Sequence, residues 1–154
     1  PEYTVKIMGD DTTDEAKRLK EYVENHKMKN VEFLGFKSGA ELENVIKGAR
    51  FTLIPSIWYD NLPNTALESF QYSKPVIASN IGSLPELVID GENGYLFKPS
   101  NVEDLIKKIK MLDDDTLVKK MGQASRKRLE SRFAPQTHYE DLMKIFNEAV
   151  KSRK

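Results

Sequence analysis

Phe51-Thr52-Leu53-Ile54-Pro55-Ser56-Ile57-Trp58-Tyr59-Asp60-Asn61-Leu62-Pro63-Asn64-Thr65-Ala66-Leu67-Glu68 is followed, six residues on, by Pro75-Val76-Ile77-Ala78. Two short apolar runs with β-branched residues thus bracket a loop and a polar stretch long enough for a helix. Pro63 marks where that helix begins, because proline is tolerated in a first helical turn whose amides have no intrahelical partner. The segment reads as strand, loop, helix, strand. Tyr3 to Met8 and Val31 to Leu34 are two further runs of the same kind, again separated by helix-length polar sequence. Their continuity, without alternation, predicts strands buried on both faces. Strands alternating with helices predict an α/β fold with a doubly wound, Rossmann-like parallel sheet.

Working outward, Thr13 to Asn25 places Ala16, Leu19, Tyr22 and Val23 on one helical stripe after caps at Thr12 or Thr13. Ser38 to Lys47 repeats the device, with Ser38 as cap, Glu41 three residues later, and Leu42, Val45 and Ile46 on the apolar face. After residue 90, Gly91-Glu92-Asn93-Gly94 signals a turn and Tyr95-Leu96-Phe97 a short edge-like strand. Three helices are predicted to finish the chain, over about 101–112, about 115–131 and from Pro135, so that helices occupy about 101–150.

The bulk properties narrow the function. A chain of 154 residues, 39% hydrophobic and 9% aromatic, suits one domain spanning 1–154. Its 24 basic and 24 acidic residues cancel, so no overall field draws it to nucleic acid. There is no cysteine, and no apolar run approaches the roughly 18 residues that would span a bilayer. A cytoplasmic setting is expected, and no signal-peptide pattern leads into the first strand.

In doubly wound folds ligands lie outside the carboxyl ends of strands, which directs attention to residues 55–68. Free amides at Asn64 and Thr65, backed by the helix dipole, would form an anion site suited to a diphosphate without requiring a metal. Asp60 and Glu68 place one carboxylate in the loop and one on the helix. Glu68 could accept both hydroxyls of a ribose and Asp60 those of a transferred sugar. The plainer alternatives are a turn aspartate and a solvated helix glutamate.

Asp60-x7-Glu68, then Lys74-Pro75-Val76-Ile77-Ala78, Gly82-Ser83-Leu84-Pro85-Glu86-Leu87 and Asp90-Gly91-Glu92-Asn93-Gly94-Tyr95-Leu96-Phe97, together resemble the signature of retaining GT-B glycosyltransferases of carbohydrate-active family four. The resemblance covers nearly the whole chain. It implies the C-terminal, nucleotide-sugar (donor) binding half of such an enzyme, with the acceptor sugar, lipid or polysaccharide held by an N-terminal domain outside this chain. It assigns Glu68 to the donor ribose, Asp60 to the donor sugar, and Leu62, Pro63, Asn64 and Thr65 to the segment whose amides meet the phosphates. Pro63 has no amide to give. Gly35, Phe36 and Lys37 would hold the base. The donor would be a nucleoside-diphosphate sugar, with UDP or GDP as nucleotide, and neither cofactor nor metal is expected.

The sequence departs from that pattern in two places. Asp60 is one methylene shorter than the family's glutamate, so the loop comes closer to the sugar or a water intervenes. The family's domain also opens with a strand ending in Gly-Arg, then a lysine that helps neutralise the diphosphate. Neither precedes Pro1 in this sequence, so the first strand and helix are expected to be absent or replaced and the isolated chain inactive. Two rival functions follow: a non-catalytic nucleotide-binding or assembly module, and a GT-B sugar-nucleotide epimerase.

Other suggestive features read more plainly. Asp113-Asp114-Asp115 resembles a metal-binding Asp-x-Asp but sits before Thr116, where helix capping explains it. Asp10-Asp11 lacks the partners of a phosphoacceptor site, and Gly9-Asp10-Asp11 is no dinucleotide fingerprint. His26 and His138 have no ligand-spaced partners. Trp58 either lines the donor or acceptor site or covers its loop. The basic residues Lys119, Lys120, Arg126, Lys127, Arg128 and Arg132 would meet a membrane face carrying a lipid acceptor, or form a solvated helix surface.

Overall fold

The computed structural model describes residues 3–152. They form two compact units, divided between Val45 and Ile46.

The first unit contains β1 (Val5–Met8), α1 (Asp14–Asn25), β2 (Val31–Gly35) and most of α2 (Gly39–Gly48). β1 and β2 pair in parallel, with Val5 opposite Val31, and the register shifts between Ile7 and Met8. α1 starts where Thr13, held extended, accepts a hydrogen bond from the Ala16 amide at 3.2 Å, with Asp14 and Glu15 favourably placed in the first turn. It stops at His26, whose Nδ1 lies 2.8 Å from the Tyr22 carbonyl and whose ring stacks on Tyr22 at 4.0 Å. α2 begins at Gly39, immediately after the expected cap, Ser38.

Here one expectation fails. The strands were expected to be buried on both faces, yet no described residue between 3 and 45 is fully buried, and Val5 and Leu19 remain 43% and 39% exposed. Two strands and a crossover helix offer too few apolar surfaces to close a core around themselves.

The second unit contains β3 (Thr52–Ile54), α3 (Asn64–Gln71), β4 (Val76–Ser79), α4 (Leu84–Leu87), β5 (Gly94–Phe97), α5 (Val102–Met111), α6 (Asp115–Arg132) and α7 (Pro135–Lys151). Its sheet has the order β3-β4-β5, every pair parallel, with Val76 opposite both Thr52 and Gly94. β4 is the central strand and is buried along its whole length. Alternation along a strand sends Val76 and Ala78 to one face, where they pack with Ile54, Ala66, Phe70, Leu84, Leu87 and Val88. Ile77 goes to the other, with Tyr95, Phe97, Leu112 and Met121. Side chains the size of Val76, Ile77, Leu84 and Phe70 each contribute about 1.5–3 kcal/mol on burial.

Two glycines permit this closeness. A Cβ on Gly94 would stand 2.0 Å from the Val76 carbonyl oxygen, and one on Gly122 of α6 would stand 2.1 Å from that of Ser73. α6 is further pinned by the Ser125 hydroxyl, which donates to the Asn93 carbonyl at 2.9 Å. The acidic triplet works as a helix start: Asp114 accepts from the Thr116 amide at 2.8 Å, and Asp115 pairs with Arg50. Arg50 also donates to the Leu112 and Asp113 carbonyls at 2.7 Å each. One element was not foreseen, the four-residue helix α4. Among the described residues no helix is long and apolar enough to cross a membrane.

Candidate functional site

α3 presents two chemically different faces. Pro63, Ala66, Ser69 and Phe70 recur at helical spacing and are buried. Asn64 and Thr65 are exposed and Glu68 is half-buried. The helix is anchored to β3 by a relay in which the Thr52 hydroxyl donates to Ser69 Oγ at 2.7 Å and Ser69 donates to the Thr65 carbonyl at 2.6 Å. The helix start is open: Pro63, extended at φ −69° and ψ 103°, supplies no side-chain cap. The first backbone bond is from the Ala66 amide to the Pro63 carbonyl at 3.0 Å, leaving the Asn64 and Thr65 amides without an acceptor among the described residues. Those amides and the dipole behind them favour an anion.

Asp60 is half-buried in the loop ahead of α3, and its backbone is clamped. Its carbonyl accepts from the Ser83 hydroxyl at 2.8 Å and from the Ser83 amide at 3.3 Å. Gly82, at φ +59°, allows that approach, since a Cβ there would lie 3.0 Å from the Asp60 nitrogen. The carboxylates of Asp60 and Glu68 have no hydrogen-bond or ion-pair partner among the described residues, so both keep their acceptors available. The loop that carries Asp60 also exposes apolar surface: Ile57, Trp58, Tyr59 and Leu62 are 66%, 63%, 83% and 47% exposed. The Ser79 hydroxyl, at the carboxyl end of β4, is buried without a partner.

Asp60, Leu62, Asn64, Thr65 and Glu68 therefore share one unit and one loop-to-helix segment. Gly35, Phe36 and Lys37 belong to the other unit, at the carboxyl end of β2. Gly35 is left-handed at φ +66°, Phe36 is 75% exposed, and Lys37 pairs with Glu41 at 3.5 Å. Sequence reasoning missed the Gly82–Ser83 clamp. Its signal was a glycine–serine pair just after a strand, but nothing local says what such a turn will grip.

Several of the remaining polar features have local partners. Asp10 accepts from both the amide and hydroxyl of Thr12, which holds its carboxyl below the usual range. Asp11 is lowered chiefly by its bond to Lys20 at 2.8 Å. Burial pushes the Lys74 ammonium below its ordinary value. No group of three metal-ligating side chains occurs among the described residues. In the basic run, Arg126 bonds Glu130 at 2.6 Å and the Gln71 carbonyl at 2.7 Å, whereas Lys119, Lys120, Lys127 and Arg132 are exposed.

Parallel α/β units with an open helix start after a strand place this chain among α/β folds that bind ligands at strand ends, and comparison with known proteins makes the class specific. Residues 1–128 match the family described as glycosyl transferases group 1, and the chain belongs to that family. An uncharacterized glycosyltransferase of Methanocaldococcus jannaschii is 30% identical over 148 residues, covering 96% of this chain and 41% of the relative. The fold matches that of HepE from Anabaena, solved in complex with UDP, with a TM-score of 0.84 at 23% identity over 96% of this chain and 42% of that one. A C-terminal domain of a glycosyl transferase group 1 protein from Francisella tularensis matches with a TM-score of 0.69 at 26% identity, over 79% of this chain and 64% of that one. The chain thus has the GT-B glycosyltransferase fold of a C-terminal half, and spans about two fifths of the length of relatives it matches.

Proposed function

We propose that this chain is the donor-binding half of a retaining glycosyltransferase that moves a hexose-like sugar from a nucleoside diphosphate to an acceptor. The observation that carries the proposal is α3, which holds two unpaired amides at its start, at Asn64 and Thr65, and, at Glu68, a carboxylate, all without a partner among the described residues. A helix end left uncapped beside an available acceptor suits a ligand with a negative diphosphate and a hydroxylated ribose. Glu68 takes the ribose hydroxyls, the two amides take the phosphates, and Asp60 takes a hydroxyl of the sugar being transferred. Leu62 belongs to the same segment whose backbone meets the phosphates. The family resemblance assigns the base to Gly35, Phe36 and Lys37. UDP is the first nucleotide to test, because HepE binds it.

Catalysis on this account is chiefly positioning and charge stabilisation. The α3 amides hold the leaving diphosphate as negative charge builds on it, and no metal is required for that step. An N-terminal domain holds the acceptor, a sugar, lipid or polysaccharide, so the isolated chain is inactive. The protein acts in the cytoplasm, where the exposed lysines of α6 give it a means of resting on an anionic membrane. Assaying the intact protein with UDP-, GDP- and ADP-sugars tests the reading. Transfer to an acceptor with the anomeric configuration kept is the expected result. Binding without turnover would favour a non-catalytic module, the alternative suggested by the short Asp60.

A further inference from the structure

A polar cavity of about 360 Å³ lies in the second unit between the loop after Asp60 and the C-terminal end of α6. Asn61, Leu62 and Ser83 line one side of it, and Arg128, Arg132 and Phe133 the other. The Asn64 and Thr65 amides are not among its walls. Arg128 and Arg132 are four residues apart on α6 and so share a helix face. Arg128 is fixed in place because its Nη2 donates to the carbonyl of Glu86. That leaves its Nε buried with no acceptor, an arrangement proteins rarely leave unsatisfied. Arg132 makes no hydrogen bond or ion pair among the described residues. It senses the field of Asp141, but that carboxylate bonds to Lys144 at 2.9 Å.

Two guanidinium groups against the single exposed carboxylate of Glu86 leave the cavity electropositive. A planar guanidinium fork matches a phosphate oxygen pair better than any other anion-binding side chain. Leu62, Leu87 and Phe133 supply an apolar wall, and Glu86 supplies an acceptor for hydroxyls. The volume sits at the low end for small-molecule sites, which suits a sugar ring better than a long chain. We propose that this cavity is a binding site for a phosphate monoester of sugar size, separate from the amides and carboxylate at the start of α3.

The test is calorimetric titration of the intact protein with glucose 6-phosphate, inorganic phosphate, glucose and dihexanoyl phosphatidate, repeated on Arg132→Gln and Arg132→Lys. Arg132 is exposed, so both variants should keep the melting temperature of the wild type. Saturable binding of glucose 6-phosphate that weakens about tenfold or more in Arg132→Gln, partly recovers in Arg132→Lys and exceeds that of glucose supports the site. Its persistence in Glu68→Ala would separate it from the donor site. Absence of saturable binding, or equal affinity in Arg132→Gln, would overturn it. Tighter binding of the phosphatidate, or of inorganic phosphate alone, would overturn the assignment to a phosphosugar.

Discussion

Residues 5–35 and residues 52–97 follow one construction rule, parallel strands joined by helices, and reach opposite outcomes. In the second region β4 is covered on both faces and Phe70, Ile77, Leu84 and Leu87 are at most 1% exposed. In the first no residue is fully buried, and much of the polar contact is between exposed partners such as Lys6 with Glu32 at 3.9 Å and Arg18 with Glu15 at 2.8 Å. Such pairs contribute little in water. A pattern of apolar runs states which residues prefer burial, whereas closing a core also needs elements on each face. The lesson for function is that the Asp60-to-Glu68 segment is mounted on the better packed unit, whose helix α3 is held by Ala66 and Phe70 inside the core.

The comparison can be broken by substitution. Phe70→Ala should cost about 3–5 kcal/mol in denaturant unfolding, because a fully buried ring leaves a cavity behind it. Removing the α1 cap with Thr13→Ala should cost about 1 kcal/mol, read as loss of helicity and faster amide exchange in α1. Leu19→Ala should cost less than about 1 kcal/mol, since its side chain already keeps much of its contact with water. A Leu19→Ala penalty equal to that of Phe70→Ala would mean that the first unit has a core of its own. Amide exchange should rank the same way, with β1 and β2 exchanging ahead of β4.

The smallest expected effect concerns acid. The carboxyls of Asp10 and Asp11 are held below their ordinary value of 3.8, by Thr12 and Lys20 respectively. Their contribution is present above that value and is lost as the pH falls through the lower folded-state values. Both groups are in solvent, so the change should be slight: faster exchange at the start of α1 below about pH 4, abolished in a Lys20→Met, Asp10→Asn double variant.

Much of this fold was legible because its signals are local. The apolar runs located β1 to β5, Thr12 or Thr13 and the Asp113–Asp115 triplet announced helix starts that Thr13 and Asp114 cap, and Pro63 and Pro135 marked others. α4 escaped notice because four residues carrying Pro85 give no helical period to read. The exposure of the first unit also escaped, since burial depends on partners that the run itself does not encode. At the candidate site, the spacing of Asp60 and Glu68 and the open helix start could be read from adjacent residues. The grip of Ser83 on Asp60, across 23 positions, and of Arg50 on Asp115, across 65, could not, because each is created by the chain returning to itself.

The claim that most needs testing is that Glu68, beside the free amides of α3, binds the donor nucleotide. Calorimetric titration of the intact protein with UDP, or with whichever nucleoside diphosphate binds best, should compare wild type with Glu68→Ala and with the surface control Glu92→Ala. Loss of a charge-assisted bond of about 1.5–3 kcal/mol predicts roughly tenfold to hundredfold weaker binding in Glu68→Ala, with Glu92→Ala and the melting temperature unchanged. Equal affinity in Glu68→Ala and wild type would contradict it.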